Sequence, residues 1–360
     1  MVHVVITGGA GFVGSRLARE LLAAGSLGVA GGEAGPVSRV TLVDKAAAPK
    51  DLAADQRVAM IQGDLGELLE AGRARRDALA GADVIFHLAA AVSGECEADF
   101  DLGMRANLQA TESLLAACRA AGTNPMVVYS SSVAVFGGSA EHALPAVVQD
   151  DTLPNPQTSY GIQKFIGEQL LADYTRKGFL RGRSLRLMTV SVRPGRPNAA
   201  ASGFLSGIIR EPLAGQRAVV PVDPGTEVAL ASPAKAIGGL LRAATATDEA
   251  WGGRTAVNLP ALTVSVGDMA AALEQVAGPE VRALIDWVPD PAVAAMFATW
   301  PGRVHHRRLR GAVRGEHRRQ PHQRHRALYA AAAADARRPR AGRHRPVADS
   351  ARCRLMISRE

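Results

Sequence analysis

The N-terminal run Thr7-Gly8-Gly9-Ala10-Gly11-Phe12-Val13-Gly14 constrains the fold more than any other stretch of the chain. It follows a β-branched segment at residues 3–6, and apolar residues recur at helical spacing through residues 13–24. A strand, a glycine-rich turn and a helix in this order form a phosphate cradle, because glycines let the backbone approach the ligand and the helix N-terminus attracts negative charge. The pattern favours a dinucleotide site over a merely tight turn, and the site residues it predicts are Gly8, Gly11, Phe12, Val13 and Gly14.

An acidic residue follows the second predicted strand. Residues 39–43 lead to Asp44, whose carboxylate can accept hydrogen bonds from the adenosine ribose hydroxyls and would repel a 2′-phosphate. This position favours NAD over NADP, with a solvated strand-end acid as the alternative. Asp44 lies further from Gly14 than is usual, so we interpret the Gly-, Ala- and Pro-rich residues 25–38 as a loop insertion.

Two further predicted strands end in residues that suit a cofactor. Residues 58–62 lead to Asp64 and Leu65, and Asp64 is placed to receive the adenine amino group. Residues 84–88 form an apolar run that contains His87. Its position inside an apolar strand favours a structural role for this histidine over a catalytic one. The small residues that follow leave room for the cofactor, which predicts contacts from Leu88, Ala89 and Ala90.

A phenol and an ammonium group stand four residues apart at Tyr160 and Lys164, a spacing that places both on one face of a helix. A free tyrosine titrates near pH 10, so bringing its pKa close to neutrality takes about three units, or roughly 4 kcal/mol. We expect the cation of Lys164 to supply this shift. Three serines, residues 130–132, follow the strand predicted at residues 126–129, at the edge where open α/β sheets bind ligands.

These motifs, in this order, resemble the extended short-chain dehydrogenase/reductase family. The resemblance rests on TGGAGFVG at 7–14, Asp44, HLAA at 87–90, Asn107, SSSVAVFG at 130–137 and YGIQK at 160–164. It implies an α/β fold with a Rossmann-type doubly wound parallel sheet and a smaller C-terminal substrate lobe. It also implies catalysis by Ser132, Tyr160, Lys164 and Asn107, with Ser132 preferred because it stands five residues before Gly137.

The resemblance gives each of these residues a role. Tyr160 takes the proton from a substrate hydroxyl, Lys164 stabilises the phenolate and holds the nicotinamide ribose, and Ser132 hydrogen-bonds the reacting oxygen. Asn107 holds a water that relays the proton to solvent. The NAD cofactor is expected to contact Asn107, Tyr160, Lys164 and Pro194.

The substrate class is indicated by smaller differences within the family. Ser132-Val133-Ala134 stands where sugar-nucleotide dehydratases have Thr-Asp-Glu, so a dehydratase is disfavoured, while a sugar-nucleotide epimerase stays open. Residues 192–213 and 299–303 are similar to the D-erythronate dehydrogenases, which implies oxidation of the 2-hydroxyl of a small sugar acid. A carboxylate needs cationic or amide groups, and a diphosphate would suit the same groups. The predicted substrate-binding residues are Ser132, Tyr160, Arg196, Asn198, Ser202 and Arg210.

The basic charge of the chain is confined to its C-terminal segment. Residues 303–360 hold 17 arginines, no lysine and four acids, a charge of +13, and subtracting it from the net charge of +8 leaves −5 for residues 1–302. A disordered basic tail or a shifted reading frame explains this segment. A non-catalytic NAD-sensing protein that binds nucleic acid through this tail is a third functional hypothesis. The Ser/Tyr/Lys set argues against it, and no specific nucleic acid is expected.

Length and composition bound the remaining classes. The sequence divides into a NAD-binding domain at 1–190, a mainly substrate-binding lobe at 191–302 and the Arg/His-rich tail at 303–360. No apolar run is long enough to cross a bilayer, and the three cysteines form no close pair. We therefore expect a cytoplasmic protein without a metal site or a membrane partner. The family resemblance implies an enzyme that works on a small molecule as a homodimer.

Overall fold

The computed structural model describes residues 1–70, 79, 81–195 and 201–305. Its strands, numbered in chain order, are β1 (Val2–Thr7), β2 (Ser26–Leu27), β3 (Gly35–Asp44), β4 (Val58–Gln62), β5 (Val84–His87), β6 (Met126–Ser132), β7 (Arg181–Leu187), β8 (Thr189–Val190), β9 (Ala218–Val220), β10 (Glu227–Ala231), β11 (Val257–Asn258), β12 (Leu262–Ser265) and β13 (Ile285–Trp287).

The largest sheet has the order β11-β7-β6-β5-β1-β3, with β4 paired parallel to the end of β3 and β2 paired antiparallel to its start. The other neighbours in this order run parallel. The chain winds outward from β1 to β4 and then returns to place β5 on the other side of β1. Such a reversal opens a crevice at the carboxyl ends of the strands, where doubly wound folds bind ligands. The predicted doubly wound parallel sheet is confirmed.

Helices cover both faces of this sheet because the strand residues are apolar on both sides. In β1, Val4 and Ile6 are fully buried in one core with Leu17, whereas Val5 is fully buried in the other core with Leu114. The α-helices are Phe12–Ala24, Lys50–Ala53, Leu65–Glu70, Ser93–Ala98, Phe100–Gly103, Ala110–Ala121, Ser159–Arg176, Phe204–Leu213, Pro233–Thr245, Asp248–Trp251, Val266–Ala277, Pro279–Arg282 and Pro291–Ala298. A π-helix spans Met104–Gln109, and short 3₁₀ turns span Val29–Gly31, Val133–Val135 and Ala201–Gly203.

A separate core lies in the C-terminal half of the chain. It is built on the small sheets β12-β10-β8 and β13-β9, and it includes Leu205 and Ile208 of the helix Phe204–Leu213. The helix Pro233–Thr245 and β11 return to the large sheet. Residues 191–302 therefore contribute both to this separate core and to a core of the large sheet. Strand β8 follows β7, the neighbour of β6, and belongs to a small sheet. It therefore brings the C-terminal half of the chain next to the end of β6.

Two local predictions differ from the structure. Residues 25–38 are not simply a loop, because Ser26 and Leu27 form β2 against Pro36 and Gly35, where β3 already begins. Strand β7 was not predicted, since its sequence Arg-Gly-Arg-Ser-Leu-Arg-Leu reads as polar. It is buried nevertheless, and Arg183 donates hydrogen bonds of 2.7 Å to the carbonyls of Ala243 and Ala246.

Candidate active site

A cavity of about 680 Å³ opens at the carboxyl ends of the central strands. Its walls come from the glycine-rich turn after β1, the ends of β3, β5 and β6, the helix Ser159–Arg176 and the segment after β8. The volume lies within the range of about 300–1,000 Å³ that is typical of ligand pockets. Most of the predicted cofactor residues line it, namely Gly8, Gly11, Phe12, Val13, Gly14, Asp44, Asp64, Leu65, Leu88, Ala89, Ala90, Tyr160 and Lys164.

The glycine-rich turn is shaped by two close approaches. Gly8 adopts a left-handed φ of 68°, and a β carbon there would lie 2.8 Å from the Ala89 nitrogen. A β carbon at Gly14 would lie 2.2 Å from the Gly8 oxygen, so only glycine lets the helix Phe12–Ala24 start against the turn. No side chain caps this helix at Gly11, and its first turn holds no acid. The helix N-terminus is therefore suited to a pyrophosphate.

The far end of the cavity holds the acids predicted to contact adenosine. The Asp44 carboxylate accepts hydrogen bonds from the backbone nitrogens of Ala10, at 3.0 Å, and Ala46, at 2.9 Å. These bonds fix the negative charge at the end of β3, where it disfavours a second anion. Lys45 forms an ion pair of 2.7 Å with Asp64, so its charge is compensated within the protein.

Ser132, Tyr160 and Lys164 meet at the centre of the cavity. The Thr158 hydroxyl caps the helix Ser159–Arg176 by accepting a hydrogen bond from the Gly161 nitrogen at 3.1 Å. The first turn packs so tightly on the residues after β6 that a β carbon at Gly161 would lie 2.2 Å from the Ala134 oxygen. This contact brings Tyr160 beside Ser132. The ammonium group of Lys164 donates to the Ser130 carbonyl at 2.9 Å and lies 5.8 Å from the Tyr160 ring centroid.

The pKa values of Tyr160 and Lys164 differ from our expectation. Burial raises the pKa of Tyr160 to about 12, while the Ser132 side chain and the charge of Arg193 lower it. Burial also lowers the pKa of Lys164 to about 8. The expectation that Lys164 alone brings the phenol close to neutrality is therefore wrong here, because desolvation outweighs the nearby charges. Arg193, which we did not predict as a site residue, is a nearby charge that lowers the pKa of Tyr160.

Asn107 does not line the cavity wall but lies directly behind it. It is buried in the π-helix Met104–Gln109, where its side-chain oxygen accepts from the Ala91 nitrogen at 2.7 Å. Its amide nitrogen contacts the side chains of Gln163, at 2.9 Å, and Cys96, at 3.2 Å. The amide thus braces the segment after β5 against the helix that carries Tyr160. Its predicted role in holding a water stays a prediction.

His87 has the contacts of a structural histidine. Its Nδ1 lies 2.7 Å from the Thr7 hydroxyl and its Nε2 lies 2.9 Å from the Thr111 hydroxyl. Thr111 donates its own proton to the Asn107 carbonyl at 2.6 Å, so its oxygen is left to accept from Nε2–H. Burial lowers the pKa of His87 to about 3, which keeps the ring neutral. The histidine joins the end of β1 to the helix Ala110–Ala121.

The substrate end of the cavity contains two residues that we did not predict, Arg193 and Trp300, beside the predicted Ser202. Arg210 does not line the cavity. Its guanidinium donates to the Arg193 carbonyl at 2.8 Å and pairs with Glu211. Pro194 is exposed and does not line the cavity either, and Arg196 and Asn198 lie outside the described residues. Arg193 follows the end of β8 and shares the ligand-binding edge of the sheets, a position that could have identified it.

Comparison with known proteins places this site in a family. The profile of the NAD dependent epimerase/dehydratase family matches residues 4–228, more than half of the sequence. The chain belongs to the NAD dependent epimerase/dehydratase family. The family cofactor is NAD, and the glycine turn, the uncapped helix N-terminus and Asp44 fit it.

Individual members of the NAD dependent epimerase/dehydratase family match most of the chain. It is 51% identical over 300 residues to the D-erythronate dehydrogenase of Cupriavidus necator, covering 83% of this chain and 90% of that protein. It is 37% identical over 311 residues to the D-erythronate dehydrogenase of Haemophilus influenzae, covering 84% and 91%. A crystal structure described as a nucleoside-diphosphate-sugar epimerase from Agrobacterium tumefaciens matches with a TM-score of 0.76 and 42% identity, over 86% of this chain and 88% of that one.

The described residues offer neither a membrane-spanning helix nor a metal cluster. Residues 1–70, 79, 81–195 and 201–305 include no helix long and apolar enough to pass through a bilayer. Within the same ranges, no group of three histidine, cysteine, aspartate or glutamate side chains is arranged to hold a metal ion.

Proposed function

We propose that the protein oxidises the 2-hydroxyl of D-erythronate to give 2-dehydro-D-erythronate, with NAD as the oxidant. The observation that carries this proposal is the 51% identity to a D-erythronate dehydrogenase over 90% of its length. The cavity supports it, because Ser132, Tyr160 and Lys164 converge on the side facing the substrate end. These side chains supply a proton acceptor, a hydrogen-bonding hydroxyl and a cation.

NAD supplies the hydride acceptor when it is bound. The protein handles the proton and the position of the substrate. Tyr160 accepts the proton of the substrate hydroxyl as a phenolate, and the Ser132 side chain and the charge of Arg193 favour that form. Lys164, held by the Ser130 carbonyl, adds a positive charge below the tyrosine ring. Asn107 keeps the Tyr160 helix in place through Gln163.

The size of the cavity agrees with a small substrate. The volume of about 680 Å³ includes most of the predicted cofactor site, with Asp44 and Tyr160 both in its walls. The part beyond Tyr160 is bounded by Arg193, Ser202 and Trp300. A short sugar acid fits such a remainder better than a second nucleotide.

The proposal is tested by following NADH absorbance with purified protein, NAD and a panel of aldonates beside UDP- and dTDP-sugars. We expect NADH with D-erythronate and none with the nucleotide sugars. Tyr160→Phe should lower kcat by about 100-fold or more, the scale of a lost general base, and leave the Kd for NAD within a few-fold. NADH from nucleotide sugars but not from aldonates would contradict the proposal.

A sugar-nucleotide epimerase is the second candidate, favoured by the 42% identity to the Agrobacterium tumefaciens structure. An epimerase returns the hydride to its substrate, so it produces an isomer without net NADH. Chromatography of UDP- and dTDP-sugars after incubation with the protein distinguishes the two candidates, because only an epimerase converts them.

We further propose that the enzyme works in the cytoplasm as a homodimer. Phe100 and Ile162 are exposed apolar side chains on helices that pack against each other, which offers an apolar surface to a second copy. Light scattering after size-exclusion chromatography tests the dimer, and Ile162→Glu should shift it toward the monomer. Cell fractionation tests the location, which the metabolic role of the bacterial relatives supports.

A further inference from the structure

Arg193 occupies a particular place in the cavity. It follows β8, directly after the chain crosses from the large sheet to the small one, and it lines the wall shared with Tyr160, Ser202 and Trp300. Its charge is felt at the phenol, where it lowers the pKa of Tyr160. Arg193 and Tyr160 therefore line the same cavity within electrostatic range of each other.

Hydrogen bonds of both the side chain and the backbone hold Arg193 in this position. Its Nε donates to the Val190 carbonyl at 3.2 Å and its Nη2 donates to the Ser202 hydroxyl at 3.1 Å. Its backbone nitrogen donates to the Ser206 hydroxyl at 3.0 Å, and its carbonyl accepts from Arg210 at 2.8 Å. A guanidinium has five N–H donors, so these contacts orient the group and leave donors for a ligand.

The charge of Arg193 is not balanced by the described part of the protein. No ion pair among residues 1–70, 79, 81–195 and 201–305 includes it, whereas neighbouring Arg210 is neutralised by Glu211. Burial lowers the pKa of Arg193, and the nearby charge of Arg210 lowers it further. A half-buried cation without a carboxylate partner is costly, and an anionic ligand relieves that cost.

We propose that the guanidinium of Arg193 binds the carboxylate of the substrate. The inference rests on the proposed function, in which the substrate is a 2-hydroxy acid. Arginine recognises carboxylates through paired hydrogen bonds in a fixed plane. In a 2-hydroxy acid the reacting carbon is bonded to the carboxyl carbon. Holding the carboxylate beside Tyr160 therefore selects the 2-hydroxyl over the other hydroxyls of the substrate.

This assignment gives different roles to two residues predicted from the sequence. Ser202 orients the arginine through its hydroxyl rather than being the main contact of the acid. Arg210, paired with Glu211, fixes the backbone of Arg193 from outside the cavity. Both become positioning residues.

The test compares D-erythronate with its uncharged amide in the wild-type enzyme and in Arg193→Met and Arg193→Lys. We expect wild type to prefer the acid, and Arg193→Met to lose about 100-fold or more in kcat/KM for the acid, the scale of removing one partner of a buried charge pair. Activity with the amide should change by only a few-fold. Arg193→Lys keeps the charge without the planar geometry and should lie in between.

A control variant and a pH profile distinguish substrate binding by Arg193 from a merely structural role. Arg217→Met removes an exposed arginine paired with Asp286 and should leave both substrates unaffected. The ascending limb of the kcat/KM profile, on which the general base loses its proton, should move to higher pH in Arg193→Met, since the phenol of Tyr160 loses a cation while Cys96 and Lys164 around it are unchanged. A merely structural arginine would not move this limb.

The outcomes are distinguishable. Equal losses with the acid and the amide, with an unmoved pH profile, would overturn the assignment. Absence of NADH from wild-type protein with D-erythronate would reject the proposed function instead. In that case the same acid and amide pairs of other 2-hydroxy acids test Arg193, and a wild-type enzyme that prefers no acid over its amide would reject the carboxylate site as well.

Discussion

Lys164 is a charged side chain whose burial costs the folded protein free energy. Its side chain is 2% exposed, and its ammonium group has one hydrogen bond, to the Ser130 carbonyl. The acid closest in sequence on the same helix, Glu168, is already paired with Arg186. Burial therefore lowers the pKa of Lys164 from 10.5 to about 8. The folded protein carries this cost at neutral pH.

Lys164→Met should stabilise the protein while abolishing turnover. Below pH about 8, Lys164 is protonated in both the folded and the unfolded protein. The depressed pKa then lowers the stability of the folded protein by the full cost of the buried charge, about 3 kcal/mol. Between about 8 and 10.5 the unfolded chain binds the proton that the folded protein has lost, so wild-type stability rises with pH. Allowing about 1 kcal/mol for the lost hydrogen bond, we expect a gain of about 2 kcal/mol at neutral pH.

Urea unfolding at several pH values checks this expectation. The gain of Lys164→Met over wild type should shrink as the pH rises through the window from about 8 to 10.5. The same substitution at exposed Lys177 is the control and should show no such trend. A Lys164→Met protein that is less stable than wild type at neutral pH would show that the buried ammonium group is not a cost.

We propose that Asp44 sets the choice between the two nicotinamide cofactors. Its carboxylate is fixed by the nitrogens of Ala10 and Ala46, so it cannot turn away from an added 2′-phosphate. Asp44→Asn removes the like-charge repulsion, and we expect kcat/KM with NADP relative to NAD to rise roughly 10- to 100-fold. Steady-state kinetics with both cofactors measure this ratio, and exposed Asp51→Asn should leave it unchanged. An unchanged ratio in Asp44→Asn would place the source of selectivity elsewhere.

The turn and helix after β1 act as one element whose geometry depends on Gly14. A β carbon there would lie 2.2 Å from the Gly8 oxygen and 2.8 Å from the Gly9 Cα, so Gly14→Ala must displace the helix from the turn. We expect a loss of stability of about 1–3 kcal/mol and at least a tenfold weaker Kd for NAD, measured by thermal unfolding and calorimetry.

A second helical glycine provides the matched control for this substitution. Gly238 is exposed in the helix Pro233–Thr245, and a β carbon there meets no atom within 4 Å. Gly238→Ala should therefore stabilise the protein by about 0.5–1 kcal/mol, the helix-propensity difference, without changing NAD binding. Equal effects of the two substitutions on NAD affinity would contradict the role given to Gly14.

Elements were predictable from the sequence where their own residues determine them. The helix from 13–24 and the strands around 58–62 and 126–129 are local patterns, and the structure confirms them with small shifts. Strand β7 was missed because its arginines are buried by partners distant in sequence, such as Asp248 beside Arg183. The same reason explains Arg193, whose neighbours Ser202 and Tyr160 are brought together only by the fold. A motif identifies residues that belong to a family, but not the contacts that set their charge.

At the scale of the whole molecule, a buried polar network joins β6 to the C-terminal part of the chain. Glu168 receives a hydrogen bond from Ser131, next to Ser132, and is paired with Arg186 through bonds of 2.9 and 2.8 Å. The Arg186 side chain reaches the Asp150 carbonyl, and the Asp150 carboxylate accepts from the Asn258 nitrogen at 2.7 Å. The network therefore links β6, β7, β11 and the Tyr160 helix.

Glu168→Gln should destabilise the protein by about 3–5 kcal/mol, because it leaves the charge of Arg186 buried without its partner. Both side chains are at most 5% exposed, so solvent cannot replace the lost interaction. The double variant Glu168→Leu with Arg186→Met removes both charges and should recover most of that loss, since an apolar pair of similar volume tolerates burial. Urea unfolding of the double variant, of Glu168→Leu alone and of Arg186→Met alone gives the coupling free energy. A Glu168→Gln variant within about 1 kcal/mol of wild type, the size of one ordinary hydrogen bond, would mean that the ion pair is not what joins these parts of the molecule.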